Sequence, residues 1–273
     1  MAAEPVQAAS RWRPSPLIVG SFLLHIAALG VLAVRPGWWP QLLLLLALDH
    51  LLLTLCGLVP RSQWLGPNLT RLPRAAAERR QIAITIDDGP DPAVTPAVLD
   101  VLEQHGIRAT FFCIGERAQQ HPGLVREIVR RGHAVENHSQ HHRHDFSFLG
   151  PRAFRRELQQ AQDVLTSITG QRPRFVRAPA GLRNPLLDPV LPGLGLRLAS
   201  WTRRGFDTLT SDPELLLRRL LRDLRAGDIL LLHDGNAART AGGQPVILAV
   251  LPRLLEQIAA ASLVPVTLRD AIP

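Results

Sequence analysis

The apolar positions of the chain follow three rhythms. Between residues 16 and 59 they are nearly continuous, in PLIVGSFLLHIAALGVLAV (16–34) and QLLLLLALDHLLLTLCGLV (41–59). Each run is about the length that an α-helix needs to cross a bilayer core. Residues 61–80 lose the pattern and are rich in Arg and Pro, the composition of a linker. From residue 81 onward short apolar runs alternate with amphipathic ones. Ile82, Ile84 and Ile86 alternate with Ala83 and Thr85, a period of two that predicts a strand. Six more strands are predicted at 109–115, 133–139, 174–180, 196–202, 228–234 and 263–268. The stretches between them, such as PGLVREIVRRG, carry helical spacing, and several close on Gly. Strands alternating with helices predict a parallel sheet covered by helices. The region 81–273 is short for eight βα units, so a reduced or irregular barrel is expected rather than a full one.

The two apolar runs are joined by RPGWWP, whose Trp38 and Trp39 suit a headgroup region. The first run is long for a cleaved signal peptide, and no small-residue cleavage site follows it. The expected organisation is a cytosolic-type tail (1–15), a two-helix transmembrane hairpin (16–60), a linker (61–80) and one α/β domain (81–273). His25 and Asp49 fall at similar depths in such a hairpin. Ionisable groups within a bilayer usually pair, so a His25–Asp49 contact is expected. Arg11 and Arg13 precede the spans and Arg61, Arg71 and Arg74 follow them, whereas the connecting turn carries only Arg35. By the positive-inside rule both termini and the domain belong on the cytosolic face of a bacterial inner membrane.

The formal charge is +8, and all 31 basic residues are arginine. They are scattered, without zinc-finger spacing or an aromatic-rich RNA-binding signature, which argues against nucleic acid. No protein partner can be inferred. Cys56 and Cys113 lie in apolar runs, lack metal-ligand spacing and are expected to be buried thiols.

In a parallel α/β layout, chemistry gathers at the carboxyl ends of strands. There the sequence places Asp87 and Asp88, His138, Arg177, Trp201 and His233, with His142 and Asp207 in the following loops. His138 and His142 with one carboxylate make a two-His, one-Asp set that leaves coordination positions open for water. Asp88 is the expected third ligand, which frees Asp87 to take a proton from water. Arg177 is placed to orient Asp87. His233 ends a very apolar strand and is the candidate general acid. A carboxylate would fix its tautomer and raise its pKa; Asp207 is the first candidate and Asp234 the alternative.

These blocks resemble the NodB-like polysaccharide deacetylases of carbohydrate esterase family 4. TIDDG (85–89), HSQHH (138–142), RAPAG (177–181), ASWTRRGFDT (199–208) and LLLH (230–233) are similar to that family's five motifs, in order. The resemblance covers about residues 80–270. It implies a distorted (β/α)7-like barrel and removal of N- or O-acetyl groups from sugars. By the same resemblance Asp87 is the base, and Asp88, His138 and His142 hold a divalent metal, usually zinc and sometimes cobalt or another ion. Arg177 then positions Asp87, and His233 is the acid supported by Asp207. Ala180, Gly181 and Trp201 fall in the substrate and oxyanion region. Ala180 departs from the aromatic residue common there, and RRGFDT is looser than the usual form, so the sugar is less defined than the reaction. The implied substrate is an acylated sugar of an envelope polysaccharide or a lipid-linked glycan, with membrane lipid as the other partner. Three other readings compete: a deacylase or deformylase of a lipid-carrier-linked sugar, a non-catalytic glycan- or lipid-binding membrane protein, and a non-haem Fe(II) oxygenase, which shares the ligand set but gives Asp87, Arg177 and His233 no role.

Overall fold

The computed structural model describes residues 11–272, so most of the predicted N-terminal tail lies outside it. Eight parallel strands form one curled sheet. They are β1 (Gln81–Asp87), β2 (Thr110–Cys113), β3 (Ala134–Asn137), β4 (Phe175–Val176), β5 (Arg197–Leu198), β6 (Arg203–Arg204), β7 (Ile229–His233) and β8 (Val264–Pro265). The spatial order is β5-β4-β3-β2-β1-β7-β6, and β8 pairs with the start of β1. One strand more is present than the sequence pattern predicts. The extra one is β6, a two-residue strand just past Trp201, too short for any periodicity to register.

Alternation along β1 and β7 decides which residues face inward. Ile82, Ile84, Ile86, Leu230 and Leu232 pack outward against the helices, in one large apolar layer. Ala83, Ile229 and Leu231 belong to the inner cluster with Phe112, Phe175 and Trp201. Burying each of the three isoleucines contributes roughly 1.5–3 kcal/mol. By the same period of two, Thr85, Asp87 and His233 point inward.

The region read as a linker is part of the barrel. Leu69 bridges to Ala199, just past the edge strand β5. Its amide donates to Leu198 O at 2.9 Å, and Ser200 N donates to Leu69 O at 2.8 Å. Thr202 Oγ1 donates to Thr70 O at 2.7 Å, and Arg71 pairs with buried Asp228 at 2.9 Å. Bare strand edges leave backbone donors and acceptors without partners, and this segment supplies them. Its Arg and Pro content conceals the role, because Arg71 neutralises a buried carboxylate rather than standing in solvent.

Before it come two antiparallel helices, α1 (Pro16–Val34) and α2 (Trp39–Leu58), joined through a 3₁₀ turn at Pro36–Trp38. Ser15 caps α1 by accepting from Ile18 N, and Pro16 occupies the first helical position. Both are long and apolar enough to cross a membrane. Phe22, Leu29 and Leu44 are 66%, 69% and 62% exposed, so protein covers little of this surface. The last turn of α2 docks on the domain. Arg183 N donates to Gly57 O at 3.2 Å, and a side chain at Gly57 would meet the Arg183 carbonyl.

The expected His25–Asp49 contact is not made. Asp49 Oδ2 accepts from Ser21 Oγ at 2.6 Å, and His25 Nε2 meets His50 Nε2 at 3.3 Å. The packing of the hairpin sets Ser21 against Asp49, and the neighbouring turn brings the two histidines together. Cys113 is buried as expected, whereas Cys56 is only half-buried.

Candidate active site

The site lies at the carboxyl ends of β1, β3, β4 and β7. Asp87 and His233 are register partners on adjacent strands, which brings two inward-facing side chains together. Asp88 then turns the chain with φ 72°, a left-handed conformation rarely adopted by a non-glycine residue. Gly89 is required by close approach: a Cβ there would lie 2.5 Å from the Asp234 carboxylate.

Arg177 is 1% exposed and fully engaged. Its Nη1 donates to Asp87 Oδ1 at 2.6 Å and to Thr85 Oγ1 at 2.8 Å. Nε and Nη2 donate to the carbonyls of Ala199 and Ser200 at 3.2 and 2.7 Å, and the guanidinium lies 4.1 Å from the centre of the Phe112 ring. Burial lowers the Arg177 pKa, and the Asp87 carboxylate works against that shift. Asp87 is thus held by one oxygen, while its Oδ2 accepts no hydrogen bond among the described residues.

Asp88, His138 and His142 each offer one ligand atom, all within 4.8 Å of one another. Asp88 Oδ1 lies 3.0 Å from His138 Nε2 and 3.2 Å from His142 Nε2. His138 Nδ1 lies 2.9 Å from the Arg177 carbonyl, which can only accept. Nδ1 must therefore carry a proton. The neutral ring then aims the Nε2 lone pair at a carboxylate oxygen, and the two repel unless a proton or a cation lies between them. This donor set fits a divalent cation, and the carbonyl that orients His138 is the usual kind of supporting partner. Burial opposes charge on His138, but Asp87 and Asp88 outweigh it and raise the pKa. Burial likewise pushes the Asp88 carboxyl up, and the two histidines overcome this, holding it well below the usual carboxylate range. Ser139 and His142 also have positive φ, at 63° and 48°, so this loop is as strained as the turn at Asp88.

His233 Nδ1 pairs with Asp207 Oδ1 at 2.8 Å, and its backbone N–H donates to Asp207 Oδ2 at 2.6 Å. Burial disfavours the charged imidazole, yet the Asp207 carboxylate prevails and the pKa is pushed up to about 9. Nε2 takes no protein partner among the described residues. Asp234, the alternative partner, turns away and accepts from Thr95 Oγ1; burial pushes its carboxyl up to about 7.

Ala180 sits on the rim with φ 53°, and no hydrogen bond occupies its N–H among the described residues. Gly181 does not share that freedom. Its N–H donates to Ala178 O at 2.8 Å, so it cannot serve an oxyanion. Gly181 instead lets the chain pass the Trp201 ring and Pro60, both within 3 Å of any added Cβ. His25 and Asp49 lie in the hairpin, outside this site.

Three supporting residues escape the sequence pattern. Asn236 Nδ2 donates to Asp88 Oδ2 at 2.9 Å, which leaves Oδ1 facing the two histidines. Arg117 Nη1 donates to the Asp88 carbonyl at 2.8 Å. Glu157 accepts from the His141 backbone and pairs with its ring at 2.8 Å, explaining why His141 is not a ligand. Only Asn236, in HDGN directly after His233, carried a positional signal.

Known proteins resemble this chain in sequence and in fold. Residues 74–199 match the polysaccharide deacetylase family. A chitooligosaccharide deacetylase of Sinorhizobium fredii is 34% identical over 168 residues, 61% of this chain and 78% of the relative. A peptidoglycan-N-acetylglucosamine deacetylase of Bacillus cereus is 33% identical over 178 residues, covering 64% and 82%. The structure of a family 4 carbohydrate esterase from Streptomyces lividans, in complex with acetate, superposes with a TM-score of 0.61 at 31% identity, over 68% of this chain and 91% of that one. The chain belongs to the polysaccharide deacetylase family.

Proposed function

We propose that this polysaccharide deacetylase family member hydrolyses an N-acyl group, N-acetyl first among them, from a sugar of an envelope polysaccharide or a lipid-linked glycan. The observation that carries the reading is the pairing of one carboxylate facing two histidines with a second carboxylate clamped by Arg177. Asp88, His138 and His142 would hold a divalent cation, Zn²⁺ by the chemistry of its ligands. Such an ion lowers the pKa of a water and polarises an acyl oxygen. Asp87 removes the proton from the attacking water at Oδ2, while Arg177 keeps Oδ1 in place. The free N–H of Ala180 is available to the developing oxyanion. His233 delivers a proton from Nε2 to the departing amine, and Asp207 holds the ring by Nδ1. An oxygenase has no use for that acid or for the clamped base.

The hairpin supports a membrane location, with α1 and α2 as spans. Arg11, Arg13, Arg61 and Arg74 flank the spans on the domain side, against Arg35 at the turn. Arg71 is held by Asp228 and adds little to that bias. This supports a domain on the cytosolic face, acting on a lipid-linked precursor. A C-terminal reporter active only outside the cytosol tests the orientation: activity would place the domain outside. The reaction is tested by acetate release from N-acetylated chitooligosaccharide by the purified chain with and without Zn²⁺. No release under either condition would remove the N-acetyl reading.

A further inference from the structure

A cleft of about 800 Å³ opens where α2 ends, beside the helix Pro213–Leu221. Six arginines line it: Arg61, Arg203, Arg204, Arg218, Arg219 and Arg222. Arg203 shares Asp228, at 3.0 Å, with Arg71, and Arg222 lies 3.9 Å from Asp223. Among the described residues no carboxylate forms an ion pair with Arg61, Arg204, Arg218 or Arg219; the nearby Glu214 pairs with Arg253 instead. Arg204 Nε is buried and has no hydrogen-bond partner. Concentrating unneutralised guanidinium groups in one concave site is unfavourable unless an anion enters it.

The aromatic residues orient these groups. Arg204 lies over Trp201 at 5.3 Å and over Phe206 at 4.9 Å, and Arg219 lies over Phe206 at 5.6 Å. Phe206 is held at φ 65°, strained for an aromatic residue, immediately before Asp207. Stacking a guanidinium by its face leaves its edge for a phosphate, which it can grip with two parallel hydrogen bonds.

Two boundaries of the cleft say which phosphate. One wall is Val59 and Pro60, just past the second candidate span, the level at which lipid headgroups would meet a spanning α2. Another is Trp201, which also lies 5.8 Å from Arg177, the residue that clamps Asp87. The cleft and the catalytic centre therefore share a tryptophan wall. We infer that the cleft seats the phosphate joining the sugar of a lipid-carried glycan to its lipid, so that the lipid stays beside α2 and the sugar reaches past Trp201 to Asp87 and His233. A bulk anionic phospholipid would be met by the exposed arginines of the helix alone and would give the half-buried Arg204, with its unpartnered Nε, no role. The inference rests on the deacylase reading and adds to it a phosphate-bearing, membrane-borne substrate.

The test uses the full chain in phosphatidylcholine nanodiscs, probed with a long-chain polyprenyl monophosphate and, separately, with phosphatidylglycerol. The polyprenyl monophosphate should bind and resist competition by phosphatidylglycerol. Arg204→Gln and Arg219→Gln should each weaken it about tenfold, the loss expected when one charge-assisted contact is removed. Arg219 is exposed, so its variant remains informative if the Arg204 variant folds poorly. Equal competition by phosphatidylglycerol would make the cleft a bilayer anchor and overturn the inference, as would undiminished binding in the Arg219 variant or no binding at all. Acetate release from neutral chitooligosaccharide, measured on the wild-type chain in parallel, reports on the deacylase reading by itself.

Discussion

The barrel rim and the helical hairpin both enclose ionisable side chains, and they treat them differently. At the rim several such groups are held from more than one direction. Arg177 makes four hydrogen bonds to strands and loops far apart in sequence; Asp207 grips His233 by ring and by backbone. In the hairpin, Asp49 has a single protein donor, Ser21 Oγ, among the described residues, and His25 meets His50 at the periphery. A crowded network can hold strained backbone at Asp88, Ser139, His142 and Ala180, which a two-helix hairpin with few cross-contacts could not. Chemistry needs atoms held within fractions of an ångström; spanning needs length and apolarity. The same residue types are therefore costly to disturb in one region and tolerant in the other.

The sharpest way to break that contrast is at the paired carboxylates. Asp87→Asn should abolish turnover while leaving metal bound, as read by metal analysis of the purified protein; Asp88→Asn should lose both. Equal metal loss in the two would collapse the division of roles.

A step smaller is His233→Ala, expected to lower kcat by roughly 10²–10⁴-fold, and less on substrates with good leaving groups. A uniform loss across leaving groups would count against the acid role. The same residue sets a pH dependence. Its folded pKa is raised from 6.5 to about 9, so its stabilising contribution is complete below about pH 6.5 and fades as pH rises towards 9. The metal-free protein should lose thermal stability across that window, and Asp207→Asn should flatten the slope. An unchanged slope would show that the Asp207–His233 pair does not govern it.

Smaller again is Asn236→Ala. Removing the donor that occupies Asp88 Oδ2 should weaken metal affinity by about 10–100-fold, the usual cost of losing a supporting hydrogen bond to a ligand. Unaltered affinity would mean that Arg117 and the backbone orient Asp88 unaided.

The smallest effect belongs to the hairpin. Ser21→Ala should destabilise it by only about 0.6 kcal/mol, the average for such bonds between membrane helices. A double-mutant cycle should find coupling between Ser21 and Asp49 and none between His25 and Asp49; the reverse result would restore the pairing that depth alone suggests.

Local pattern was enough to find the two apolar helices, seven of the eight strands and the main set of side chains that converges on the rim. Periods of two and of 3.6 are properties of consecutive residues, and a strand's end marks where its inward side chains become reachable. That is why Asp87, Asp88, His138, His142, Arg177 and His233 were legible as one set. Turning Asp234 away to Thr95, recruiting Asn236 and Arg117, bridging Leu69 to Ala199 and partnering Asp49 with Ser21 were decided only by the tertiary structure. Each depends on which side chains from distant segments meet, and at what angle, and packing across the whole chain determines that rather than the neighbours in sequence.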